Sequence, residues 1–204
     1  QLAGLVSWHQ SDAGLEIVSE YLQIDTPHMK TSSRLKLNFP LDKAPPKIDL
    51  QAILGKAQAQ YVPQYLPLGI MDESVVDWLQ GAFKKGHLEH GGILMRGSLG
   101  GFPYRDNSGV FQFLGSAKHV DLHYADGWPD VEQADAEVEV RNQSLSIQSG
   151  KASIAGNKIS HAVVAMQDRT QDDYLSITGR LDDNAAGLYT FFKQSPLNES
   201  LNDL

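Results

Sequence analysis

The sequence predicts a mainly β protein, a largely antiparallel meander of short strands accompanied by two short helices. Two observations carry that reading. Apolar and polar residues alternate with period two along most of the chain, and small clusters of Asp, Asn, Ser and Gly punctuate the alternating runs. A third observation makes the sheet one-sided. The positions between the apolar ones are charged or polar, so one face is wet and the other must be covered or occupied.

Taken in order, Leu15, Ile17, Val18, Leu22 and Ile24 keep no single alternation, so a bulge or a two-sided buried strand is expected there. Leu35, Leu37 and Phe39 then share one face, against Arg34, Lys36 and Asn38. Ile48, Leu50, Ala52 and Leu54 repeat the pattern after the Pro45-Pro46 break. Ile93 and Met95, then Phe111 and Phe113, then Val120, Leu122 and Tyr124 continue it. Ala134, Ala136, Val138 and Val140 alternate strictly with Asp135, Glu137, Glu139 and Arg141. Leu145 and Ile147 follow, then Ile159, His161 and Val163, then Leu175, Ile177 and Gly179. Turn formers separate these runs at Asp12-Ala13-Gly14, Asp106–Gly109, Asp126-Gly127, Ser149-Gly150, Gly156-Asn157 and Asp172-Asp173.

Two stretches break the alternation. Between Asp72 and Lys85, Val75, Val76, Leu79 and Phe83 fall at helical spacing, acids lead and lysines end, and Gly86 is placed to cap the helix. A second helix runs from about Asp183 to Lys193, with Leu188, Phe191 and Phe192 on one side and Pro196 as its stop. The chain thus divides into a strand block (1–62), a Pro-rich link and helix (63–86), a second strand block (87–180) and a helix with a boundary segment (181–204). No strict short-period repeat is visible; the blocks look alike in pattern but not in residues.

With 204 residues there is room for a substantial core. A formal charge of −8 argues against nucleic acid as the main partner, because phosphate backbones reward a basic face. The absence of cysteine excludes disulfides, thiolate zinc sites and Cys nucleophiles. No run approaches the roughly 18 apolar residues of a spanning helix. The opening Gln1-Leu2-Ala3-Gly4 reads as the start of a segment of something longer.

Candidate chemistry is sparse. His87, Glu89 and His90 match neither zinc-helix spacing and sit at a helix exit. His119 and His123 lie on one strand face about 13 Å apart at ~3.3 Å per residue, too far to share an ion without a bulge. There is no G-x-S-x-G elbow, and Gly150-Lys151 lacks the rest of a phosphate loop. The Asp182-Asp183 pair falls in a turn, and Asn142-Gln143-Ser144 and Asn198-Glu199-Ser200 are formal glycosylation sequons. Trp8, Trp78, Trp128, Tyr65, Phe102 and Tyr124 read as core packing and corner anchors rather than a sugar-stacking platform. No catalytic residue, metal site or cofactor is expected.

The order Tyr65-Leu66-Pro67, Trp78-Leu79, Gly86, Arg96-Gly97, Phe102-Pro103-Tyr104, Gly109-Val110-Phe111, Tyr124 and Trp128-Pro129 resembles YhdP-type proteins of the AsmA-like superfamily. Gly4–Trp8 and Ser195-Pro196-Leu197 resemble the same family's pattern, so the likeness covers nearly the whole chain. It implies a long Gram-negative envelope protein, anchored in the inner membrane and running through the periplasm. In such bridge-like carriers a strongly curved, groove-forming antiparallel sheet (a β-taco) passes phospholipid acyl chains between inner and outer membranes. This chain is then an internal, periplasmic, non-enzymatic segment. Its groove lining is expected on Ile93, Met95, Phe111, Phe113, Val120, Leu122, Tyr124, Val138, Val140, Leu145, Ile147, Val163, Leu175 and Ile177, with Val75, Val76, Leu79 and Phe83 as a groove plug. Two alternatives stand beside it: a structural or protein-interaction segment whose core is closed, and a periplasmic β-sandwich binding or hydrolase domain.

Overall fold

Alternation with short turns leaves a chain little choice but to pair each strand with the next. The computed structural model describes residues 1–66, 68–166, 175–182 and 185–198. Among these, ten strands form one sheet whose spatial order is the chain order. They are β1 (Leu2–Ser11), β2 (Gly14–Asp25), β3 (Met29–Pro40), β4 (Lys47–Gln58), β5 (Phe83–Ser98), β6 (Val110–Leu122), β7 (Val131–Arg141), β8 (Ser144–Ile154), β9 (Asn157–Met166) and β10 (Leu175–Leu181). All neighbours are antiparallel. The sheet is curved and does not close on itself, so β1 and β10 are its free edges. Helix α1 (Glu73–Ala82) lies in the connection from β4 to β5, preceded by two short 3-10 turns, and α2 (Ala185–Lys193) follows β10.

Two-residue turns at Asp12-Ala13, Asn142-Gln143 and Ala155-Gly156 join their strands. Ala155 and Gly156 both hold positive φ (49° and 78°), the conformation that follows the natural twist of a hairpin.

The curvature has a local cause. Strands β2 and β4 to β9 each contain a point where three residues separate successive apolar-face positions instead of two. The intervals are Ser19–Leu22, Leu54–Ala57, Leu88–Gly91, Ala117–Val120, Val131–Ala134, Ser149–Ala152 and Ile159–Ala162. His119, Gln133 and His161, at φ of 52°, 51° and 53°, are the extra residues in three of them. A bulge bends its strand and tightens the twist. Bulges aligned from strand to strand therefore act as a crease. Beside it on the apolar face runs a row of mostly small residues, Ala57, Leu88, Ala117, Ala136, Ser149 and Ala162, as the inside of a bend demands.

Helix α1 starts where expected, because the Asp72 carboxylate caps it by accepting the Ser74 N–H at 2.9 Å. It ends three residues earlier than its sequence pattern suggests. Phe83 is extended (φ −93°, ψ 108°) and opens β5, so Lys84, Lys85 and Gly86 are strand residues. Gly86 is no helix cap. It has φ of 110°, and a Cβ there would fall 2.6 Å from the Val120 Cα, so glycine lets β5 and β6 approach. The start of the second helix expected at Asp183, the Asp172-Asp173 turn, Pro67 and the Glu199-Ser200 part of a sequon lie outside the described residues; α2 itself is described from Ala185.

Candidate functional site

Residues directly opposite in an antiparallel ladder share a face, so the register traces the apolar surface across the strands. One row runs Leu22, Ser33, Ala52, Ile93, Phe113, Val140, Leu145, Met166 and Leu175. A second runs Leu2, Ile24, Thr31, Leu54, Gly91, Gly115, Val138, Ile147, Val164 and Ile177, crossing all ten strands. A shorter third row joins Leu35, Leu50, Met95 and Phe111. Past the crease, Val120 packs with Ala134 and Ala152, flanked by Phe83, Leu122, Val131 and Ile159.

Most of the expected lining therefore shares one face, with two corrections. Val163 stands opposite Gln148 and Thr178, on the polar face, and Val164 takes its place. The cause is the positive-φ residue His161, which reverses the phase that Ile159 sets. Tyr124 lies beyond the end of β6 at Leu122; its ring is 6.1 Å from that of Trp128 and burial raises its pKa. Sequence reasoning missed Val164 and Met166, and the Val163-Val164 doublet offered no way to choose between faces.

Met95 and the Val120 cluster are buried, most other side chains of these rows are partly exposed, and no second sheet lies over them among the described residues. Toward the free edges they are open: Ile177 is 62% and Leu2 70% exposed. What closes the structure sits at the strand ends. At one end the connection from β5 to β6 folds Tyr104 inward until it is 0% exposed. Its ring lies where a Cβ on Gly97 or Gly109 would be, 2.7 and 2.6 Å away, so both glycines make room for it. Phe102 packs edge-on against Phe111 at 5.2 Å. Asn142 extends the ladder there: its Oδ1 accepts the Phe111 N–H and its Nδ2 donates to the Tyr104 carbonyl. The sequon amide is thus committed to the fold. The Tyr104 hydroxyl is buried without a hydrogen-bond partner.

The helices close the other end. Trp78 Nε1 donates to the Tyr124 carbonyl at 3.0 Å, and its ring meets Phe83 at 6.4 Å. Of the expected plug residues, Val76 is buried, Leu79 half-buried and Val75 exposed, while Phe83 belongs to β5 and packs on the Val120 cluster. Trp128 bridges to α2 through Phe191, ring centroids 6.0 Å apart. Asn157, 1% exposed, donates to the carbonyls of Ile154, Ala155 and Gly187, fixing the last two-residue turn to α2.

Polar chemistry lies on the opposite face and at the rims. Asp121 and Asp135 accept the backbone N–H groups of Gln133 and His119, and those hydrogen bonds, before their lysine partners, lower both carboxyl pKa values. His87 faces Glu89 at 3.0 Å and lies 6.0 Å from the His119 ring. No group of three or more His, Asp or Glu side chains suited to a metal occurs among the described residues. None of their helices is long and apolar enough to cross a membrane.

A family model described as YhdP protein matches residues 1–204. The intermembrane phospholipid transporter YhdP of Escherichia coli (strain K12) is 20% identical over 196 residues, which cover 96% of this chain and 15% of that protein. The chain thus spans about 15% of the curated relative's length. No solved structure matches it.

Proposed function

The chain belongs to the YhdP family, and from that premise we propose that it is a non-enzymatic segment of an envelope lipid carrier, passing phospholipid acyl chains along its apolar face between inner and outer membranes. Its compartment on this reading is the periplasm. The observation that carries the proposal is the row from Leu2 to Ile177, apolar or small at every strand and overlaid by no second sheet among the described residues. A methylene taken out of water is worth about 0.8 kcal/mol. Two acyl chains of some fifteen carbons each then hold on the order of 20 kcal/mol against exposure. A lipid can move only along a track that never leaves it bare, and such a track needs hydrocarbon continuity rather than a stereospecific pocket. The opposite arrangement, a segment closed by its own packing, fits poorly with a core in which Ala predominates and Met95, Val120 and Ile154 are among the few larger buried aliphatics. Helix α1 acts on this reading as a cover over the Phe83 end.

A photo-reactive residue placed at Ile147 or Val140 in the full-length protein should cross-link phospholipid. The same residue at Val163, on the far face of the same sheet, should not. Equal labelling at all three, or none at the first two, overturns the reading.

A further inference from the structure

Helix α1 meets the sheet through residues just past the end of β6. The His123 N–H donates to the Ala82 carbonyl at 2.8 Å, and Tyr124 receives the Trp78 indole. The segment that carries these contacts is folded around one imidazole. His123 Nδ1 lies 2.7 Å from Asp130 Oδ1, and Nε2 lies 3.1 Å from Asp126 Oδ1. A carboxylate only accepts, so satisfying both at once requires both ring nitrogens to carry hydrogen. That is the imidazolium, and neutral imidazole can keep one contact but not both.

We propose that His123, clasped between Asp126 and Asp130, is a proton-held latch that keeps α1 docked over the Phe83 end of the apolar face. Losing the proton lets the 123–130 segment and the helix lift from the acyl-chain track. This rests on the lipid-carrier reading above and adds a means of regulating it. The charged groups facing the ring are Asp126 and Asp130 from the β6–β7 connection and Lys84 from β5, which pairs with Asp130 at 2.5 Å. Nearby, α1 contributes the neutral Trp78 indole. The two carboxylates raise the His123 pKa, Asp126 first, while Lys84 opposes them. A raised folded-state value places the latch at full strength below the ordinary histidine range. It is lost as pH rises through the His123 value.

Hydrogen exchange of the α1 amides in the full-length protein, corrected for intrinsic rates, reads the latch without reference to lipid. Opening should increase about threefold between pH 6 and pH 8.5, the scale of a lost solvent-exposed ion pair. His123→Gln and the milder Asp126→Asn should both exchange at the fast rate throughout. Exchange independent of pH in the native protein, or an unchanged pH dependence in both variants, overturns the latch. The lipid reading fails separately, if photo-reactive residues at Ile147 and Val140 capture no phospholipid at either pH.

Discussion

Ser19 and Ser149 hold the same bulge in two parts of the sheet. Ser19 Oγ donates to the Leu5 carbonyl across the strand pair at 2.8 Å and to its own strand at Tyr21 at 3.1 Å. Ser149 Oγ donates to Asp135 and Lys151, both at 2.9 Å. The residues involved are displaced alike, 149 − 19, 135 − 5 and 151 − 21 each giving 130. Each hydroxyl shares its one hydrogen between two carbonyls beside the bulge, one on the neighbouring strand and one on its own. Replacing Ser149 or Ser19 by Ala should lower stability by about 1–2 kcal/mol, read as a shift in urea midpoint with little change in m.

Tyr104 combines full burial with an unpaired hydroxyl, so its ring and its oxygen have opposite effects. Tyr104→Phe should raise the thermal midpoint, since a buried polar atom without a partner costs about 1–3 kcal/mol. Tyr104→Ala should remove roughly 3–5 kcal/mol by emptying the space against Gly97 and Gly109. A drop in midpoint for the Phe variant would show that the hydroxyl is satisfied in solution.

Gly115 faces the apolar side, where an added Cβ would stand 2.7 Å from Phe113 Cζ and 2.8 Å from Leu88 Cδ1. Both neighbours are flexible tips, so Gly115→Ala should cost little. Gly115→Val should cost about 1–3 kcal/mol through overpacking. Parallel denaturant curves for the two variants distinguish a side-chain squeeze from a backbone requirement.

Acid should loosen the crease. The folded-state pKa values of Asp121 and Asp135 are lowered, so their stabilisation is present above the ordinary Asp range and is lost as pH falls through those lowered values. Stability of the native protein should therefore fall as pH drops below about 4. Asp121→Asn with Asp135→Asn should flatten that part of the profile, measured by thermal unfolding at successive pH values.

A charge on the track should stop lipid where one on the other face does not. In the full-length protein Phe113→Asp or Ile147→Asp should abolish phospholipid transfer with expression retained, whereas Val163→Asp should leave transfer near the native rate. Equal transfer by all three would remove the two residues from the path.

Much of this fold was legible in residue order. Strict alternation in 134–140 and in 48–54 read directly as strands whose apolar face the register confirms. Leu22 and Ile24 broke phase with Leu15 and Ile17, and the bulge after Ser19 is the reason. Elsewhere the phase reversals were silent. His119, Gln133 and His161 adopt positive φ without being glycine, and nothing in side-chain type marks them as the extra residue. The end of α1 is hidden in the sequence because Lys84 and Lys85 suit a helix C-terminus, yet Lys84 answers Asp130 and Lys85 answers Asp121 from a strand. The Leu-x-Ile-x-Ser of 15–19 recurs at 145–149, a faint signal in residue order because so few side chains define the device.

Because the strands lie side by side in the order in which they are synthesised, the molecule behaves as a ruler. Each further hairpin would lengthen the sheet by two strand spacings, about 9.6 Å, without altering the strands already laid down. Reach is then a matter of how many hairpins are strung together, and local damage to one hairpin leaves distant ones able to form.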